Sequence, residues 1–234
     1  MRKLIFISTL FIGLVCGAQE SYFTVYNFTV ESENVSTVFK LFDDYFTDNK
    51  TADVSVSLYE NHFNDSGNNF THSVVFGGSL DAMGTMYSGV NNDTWNLFIA
   101  RLNQHMKNDF SSAMGRRISG HGDASEVYPF QRYYMLDVDE MSKFTSAHNA
   151  YNEKYTPNGQ LVSMGNIMLG HGTDGANAWV IAGFKDFKTA MGGPGILRTD
   201  AEKKASDEAW VERRANDGDV KLVRSGLRIQ LKTW

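Results

Sequence analysis

The sequence predicts an α+β protein in which one βαββαβ unit is written twice, the two copies pairing into a single body. Three observations point there. A shift of 106 positions brings Tyr22 onto Tyr128, Tyr45 onto Tyr151, Val56-Ser57 onto Val162-Ser163, Gly77 onto Gly183 and Ser119-Gly120 onto Ser225-Gly226. The same shift superposes strands, helices and glycine-bearing hairpins in order, and an internal period of this kind decides a fold. The opening strand is also apolar on both faces, so its sheet needs cover on both sides.

Residues 22–30, rich in aromatic and β-branched side chains, read as the first strand. Val35, Val38, Phe39, Phe42, Tyr45 and Phe46 then recur along one helical stripe. Met141, Phe144, Ala147, His148, Tyr151 and Tyr155 repeat that stripe in the second copy, after an acidic capping segment, Asp137-Val138-Asp139-Glu140. Strands are expected at 53–63 and 70–77, and again at 160–169 and 176–183. Their linkers, Asn64-Asp65-Ser66-Gly67-Asn68-Asn69 and Gly170-His171-Gly172-Thr173-Asp174-Gly175, supply residues that tolerate the left-handed conformation of hairpin loops. Turns at Ser88-Gly89-Val90 and Pro194-Gly195-Ile196 lead to a second helix in each copy, over 93–107 and 200–215. The first carries a strong stripe of Trp95, Phe98, Ile99, Leu102 and Met106. The second is heavily charged, with a weak line of Ala201, Ala205, Ala209 and Trp210. A last strand closes each copy, poorly marked at 114–120 and clear where Leu227, Ile229 and Leu231 alternate with Arg228, Gln230 and Lys232.

Residues 1–18 read as an export signal. Arg2 and Lys3 form its basic region, residues 4–15 its apolar run, and Cys16-Gly17-Ala18 its small-residue cleavage site before Gln19. The apolar run is shorter than the ~20 residues a spanning helix needs, and no later run is longer. Lipid attachment at Cys16 is disfavoured by the branched Val15 before it. Removing the signal leaves 216 residues, enough to hold together by core alone, and no cysteine. Thiolate catalysis and cysteine-based metal sites are thereby excluded. The remaining 20 basic and 27 acidic residues, a charge of −7, argue against nucleic-acid binding. The expected boundaries are 19–121 for the first copy, 122–127 for a linker and 128–234 for the second copy.

Two such units resemble the dimeric α/β-barrel superfamily of ferredoxin-like domains, which includes antibiotic-biosynthesis-type monooxygenases. In many of its members two chains pair their sheets into a barrel, and a tandem duplication would make that pair within one chain, as an intramolecular pseudo-dimer. The resemblance is one of topology and covers nearly all of the mature chain. It carries over no catalytic residue. It implies a monomer built as a pseudo-dimer, with higher oligomers left open.

Between two such sheets a cavity of mixed polar and aromatic lining is expected. Its candidate lining is Tyr26, Asn27, Tyr59, Asn61, Arg132, Tyr133, Trp179, Arg224 and Arg228. By the two-residue period of a strand, Arg224, Arg228 and Lys232 share one face, with Arg132 alongside. That suits a carboxylate or phosphate ligand, while a solvated basic face is the plainer account. His148 stands where the first copy has Phe42 and is expected to pack in the core or half-buried, as is His105. His62 and His72 lie on opposite strands of one hairpin, with only Glu60 and Asp65 nearby as further ligands, too few for a metal site. Gly120-His121-Gly122-Asp123 and Gly170-His171-Gly172-Thr173-Asp174 read as turns. No metal and no cofactor is called for. The expected function is a small-molecule-binding protein or a cofactor-free enzyme, with Tyr, Asn and Arg as proton-transfer or anion-stabilising groups. The alternative is a non-catalytic extracytoplasmic module. Either would be exported, periplasmic or extracellular, and free of membrane once the signal is removed.

Overall fold

The computed structural model describes residues 21–63, 70–89, 92–170 and 175–234, with backbone alone at 108–110. The export-signal segment, the whole first hairpin linker and residues 171–174 of the second lie outside the described residues. The elements are β1 (Ser21–Val30), α1 (Val35–Asn49), β2 (Val54–Phe63), β3 (His72–Gly78), α2 (Leu80–Ser88), α3 (Asp93–Leu102) and β4 (Met106–His121). They continue as β5 (Phe130–Val138), α4 (Met141–Tyr155), β6 (Gln160–Leu169), β7 (Ala178–Phe184), α5 (Phe187–Gly192), α6 (Asp200–Asn216) and β8 (Val220–Thr233).

The strands close into a barrel in the order β1-β3-β2-β8-β5-β7-β6-β4. All neighbours are antiparallel. Each half of the chain supplies one continuous arc of wall, β4-β1-β3-β2 and β8-β5-β7-β6, and the arcs are sewn together at β2–β8 and β4–β6. Closure removes the open edges that would otherwise invite aggregation. A barrel of this strand number has an interior just wide enough to be filled by side chains or to hold one small ligand.

Alternation along the strands sorts side chains to two faces. In the first half Phe28, Val30, Val54, Val56, Leu58, Val74 and Phe76 point outward, under Val38, Phe42 and Phe46 of α1, Met83 of α2, and Phe98 and Leu102 of α3. Each such burial contributes about 1.5–3 kcal/mol. Cover on the second half is thinner, in two smaller clusters around Phe144 and Phe184. The residues that α6 buries are Ser206 and Arg213. It leans on α4 instead: the Tyr151 and Ser206 hydroxyls lie 2.8 Å apart, and the Tyr151 ring meets Trp210 edge-on at 5.2 Å.

Several sequence expectations change. The helix expected over 93–107 stops at Leu102, because β4 starts at Met106, which pairs with Val30. An additional helix, α2, is capped by Ser79, whose side chain accepts from the Ala82 amide. The acidic cap expected before α4 does not form. Glu140 is the N-cap without a side-chain bond, while Asp137 and Val138 stay in β5, where the Asn177 side chain brackets the Val138 backbone. A reciprocal capping box stands instead at α6, between Thr199 and Glu202.

The internal period also proves uneven. Gly78 pairs with Val54 and Tyr22, and Phe184 pairs correspondingly with Gln160 and Phe130. The hairpins therefore keep the offset of 106, whereas Tyr22 answers to Phe130 rather than Tyr128. The last strand slips further: Tyr22 pairs with Arg116, and Phe130 with Ile229. Ser119-Gly120 and Ser225-Gly226 are thus not equivalent.

Candidate functional site

The barrel interior is not filled. A cavity of about 240 Å³ runs between the two arcs. It survives because glycines sit opposite the bulkiest inward side chains. Phe23 pairs with Gly115, Trp179 with Gly165 and Tyr133 with Gly226, and in each pair the aromatic ring occupies the space a Cβ would take. The Phe23 and Trp179 rings then meet edge-on at 5.4 Å.

One wall is polar and internally bonded. The Ser73 hydroxyl donates to Asn27 Oδ1 at 2.7 Å and accepts from Asn61 Nδ2 at 3.0 Å, while Asn27 Nδ2 donates to Ser111 at 3.1 Å. Arg228 lies between its register partners Asn61 and Gln131. Its Nε donates to Gln131 Oε1 at 3.0 Å, and its guanidinium stacks 3.9 Å above the Tyr59 ring. Burial pushes this guanidinium below its ordinary value, against the opposing pull of the Tyr59 and Tyr133 hydroxyls. Arginine remains charged regardless. Across the cavity the Trp179 indole N–H is buried without a hydrogen-bond partner.

Of the residues expected to line this space, Asn27, Asn61, Tyr133, Trp179, Arg224 and Arg228 do so, whereas Tyr59 lies outside the lining, stacked under the Arg228 guanidinium. Tyr26 and Arg132 do not. Each follows or precedes an inward-facing neighbour, Asn27 or Tyr133, and consecutive strand residues cannot share a face. Tyr26 points to the helices and meets the Tyr87 hydroxyl at 2.7 Å, while Arg132 donates outward to the Met191 carbonyl. Lys232 leaves the arginine face as well. The pairing slips at Leu231, so Tyr59 faces Gln230 while Leu58 faces Lys232, which turns to Asp43 of α1. Arg117, Phe23 and Ser73 are lining residues the sequence reading passed over. The alternation of β3 would have exposed Ser73; the weak pattern of β4 hid Arg117.

Larger spaces lie outside the barrel wall, and two of them sit at matching places between strands and helices. That of the first half, about 560 Å³, is walled by Phe42, Tyr45, Trp95, Phe98 and Ile99, with no charged side chain in its lining among the described residues. Tyr26, Tyr87 and Thr24 form a hydroxyl chain at its side, with Tyr87 donating to Thr24 at 2.9 Å. Burial, then the Tyr87 bond, pushes the Tyr26 phenol well above its usual range. Its counterpart in the second half, about 610 Å³, is lined by Arg132, Arg198, Arg213 and His148. His148 is 2% exposed, and its Nε2 has no partner. Burial first, then the nearby Arg213 and His121, depresses its pKa to about 3.

The remaining described histidines scatter; His171 lies outside the described residues. His72 stacks on Phe28, His62 stands exposed beside Glu60, and His105 contacts Asn34. His121 ends β4 against Asn149, while Asp123 accepts from the Ser125 amide and hydroxyl in a turn. Among the described residues no three metal-ligating side chains gather, and no helix is long and apolar enough to cross a membrane.

No family model matches the chain, and no curated protein does either. Solved structures do. A candidate monooxygenase from Fusobacterium nucleatum shares 15% identity at a TM-score of 0.59, covering 92% of this chain and 94% of its own. A candidate monooxygenase from Lactobacillus acidophilus shares 13% at 0.60, covering 92% and 96%. An anthrone oxidase-like protein shares 11% at 0.53, covering 92% and 93%. The closed antiparallel wall with helices outside and the alignment of these structures over nearly their full length converge on one conclusion: the chain has the dimeric α/β-barrel fold.

Proposed function

We propose that this is an exported, tandemly duplicated barrel that binds a small molecule in its lumen, as a binding protein or a cofactor-free enzyme. The observation that carries the reading is the open interior, where Asn27, Asn61, Ser73, Tyr133 and Arg228 converge with the orphaned indole of Trp179. A structural module has no need of buried polar groups aimed into empty space, since each costs stability unless something bonds to it. Native mass spectrometry of gently purified protein tests the reading. A retained small molecule is expected, and it should be lost when Val75→Trp fills the lumen. Mature protein beginning at Gln19 is the expected result of N-terminal sequencing after export. The offset of 106 kept by both hairpins supports duplication, and the slipped first and last strands fit separate drift afterwards.

A second reading is favoured by the uncharged aromatic space under α1–α3. Its lining suits an apolar aromatic molecule, and the fold is shared with candidate monooxygenases and an anthrone oxidase-like protein. If Ile99→Trp displaces the retained molecule while Val75→Trp does not, the ligand sits there and the lumen reading fails.

A further inference from the structure

Arg228 is enclosed in the barrel, and among the described residues no carboxylate pairs with it. Nε donates to a neutral amide and one guanidinium face lies on Tyr59, so the Nη groups have no protein acceptor among the described residues. Arg117 also lines the cavity, and no described acidic side chain does. Among the described residues nothing gives this half-buried guanidinium the counter-charge that interiors normally supply. Trp179 adds a second unmet donor, and a buried indole N–H ordinarily finds an acceptor. Around one aromatic-walled space, then, the Trp179 indole is unsatisfied and the Arg228 Nη groups have no acceptor among the described residues.

We infer that the lumen takes a small aromatic carboxylate, its anionic end on the Nη groups of Arg228 and its ring among Phe23, Tyr133 and Trp179. The inference rests on the proposal that the lumen is the ligand site. The planar guanidinium fork matches a carboxylate's two oxygens, which is the reason for choosing a carboxylate over a spherical anion. Size agrees: 240 Å³ corresponds to about eight water molecules at ~30 Å³ each, room for one substituted ring and little more. The neutral cluster of Asn27, Ser73 and Asn61 beside Arg228 supplies orientation without a competing negative charge.

The test is calorimetric titration of the mature chain with benzoate, with benzamide as the neutral isostere and inorganic phosphate as a non-aromatic anion. Saturable benzoate binding is expected, at least about tenfold tighter than benzamide or phosphate. Arg228→Met should remove that preference, leaving benzoate no tighter than benzamide, and Arg228→Lys should fall between. A urea-unfolding transition as cooperative as that of the unchanged protein shows that the variant is folded. Trp179→Phe should weaken benzoate binding severalfold and abolish its quenching of indole fluorescence. No saturable benzoate binding, equal affinity for benzoate and benzamide, phosphate binding as tight as benzoate, or an unaffected Arg228→Met would each overturn the inference. Val75→Trp separates the two levels. If it abolishes benzoate and benzamide binding alike while Arg228→Met alters neither, only the carboxylate inference fails. If it leaves benzoate binding intact, the lumen itself is the wrong site.

Discussion

Tyr133 and Gly226 are direct partners across the β5–β8 pairing, and the tyrosine hydroxyl lies where Gly226 would carry a side chain. The Phe63 carbonyl crowds the same point, so neither a rotamer change nor a small shift makes room. Gly226→Ala should therefore lower stability by about 1–3 kcal/mol in urea unfolding, the usual range for overpacking. Gly84 in α2 is the contrasting case, with open space around it. Gly84→Ala should raise stability by about 0.5–1 kcal/mol, because alanine loses less backbone freedom on forming a helix.

His148 gives the protein an acid-sensitive point. Its folded pKa of about 3 lies below the ordinary value of 6.5, so the unfolded chain binds the extra proton first. Its contribution is intact above pH 6.5 and drains away as pH falls toward 3. Between pH 6.5 and 4.5 the loss should be on the order of 2 kcal/mol. His148→Phe, which puts here the residue type found at Phe42, should flatten that part of the stability profile in denaturant titrations at stepped pH.

Trp234 ties the last strand to α1. Its ring lies 5.8 Å from Phe46, its indole donates to Asp43 Oδ1 at 2.9 Å, and its backbone pairs with Val56. Trp234→Ala should cost about 3 kcal/mol, judged by thermal unfolding. Asp43 is held below the usual carboxylate range by Lys232 first and then by Trp234. Its stabilising effect is present above the unfolded value and is lost as pH falls through the lowered one. Asp43→Asn should accordingly make stability less dependent on pH in the acid range.

Tyr87 fastens α2 to β1 through the hydroxyls of Tyr26 and Thr24. Tyr87→Phe should cost about 1 kcal/mol, and hydrogen exchange should quicken in α2 before it does in β1.

The sequence by itself determined the order of the eight strands and four long helices, and which of their residues cover the outside of the wall. Phe42, Phe46 and Phe98 lie on helical stripes that any α-helix must bury, and β6 begins and ends where its alternating pattern does, at Gln160 and Leu169. Six lining residues were also legible, since alternation alone puts Asn27 and Asn61 on the face opposite Phe28 and Leu58. Only the tertiary structure decided the rest. Which of two adjacent candidates faces inward, Asn27 or Tyr26, Tyr133 or Arg132, depends on which face the helices cover. A one-residue bulge at Leu231 sends Lys232 to α1 and leaves Arg228 in the lumen without it. The end of α3 and the slipped offsets of the first and last strands follow from pairing across the barrel, a long-range competition that local periodicity does not record. The lumen stays open for the same reason: each large ring meets a glycine on the next strand, and that correspondence exists only once the barrel closes.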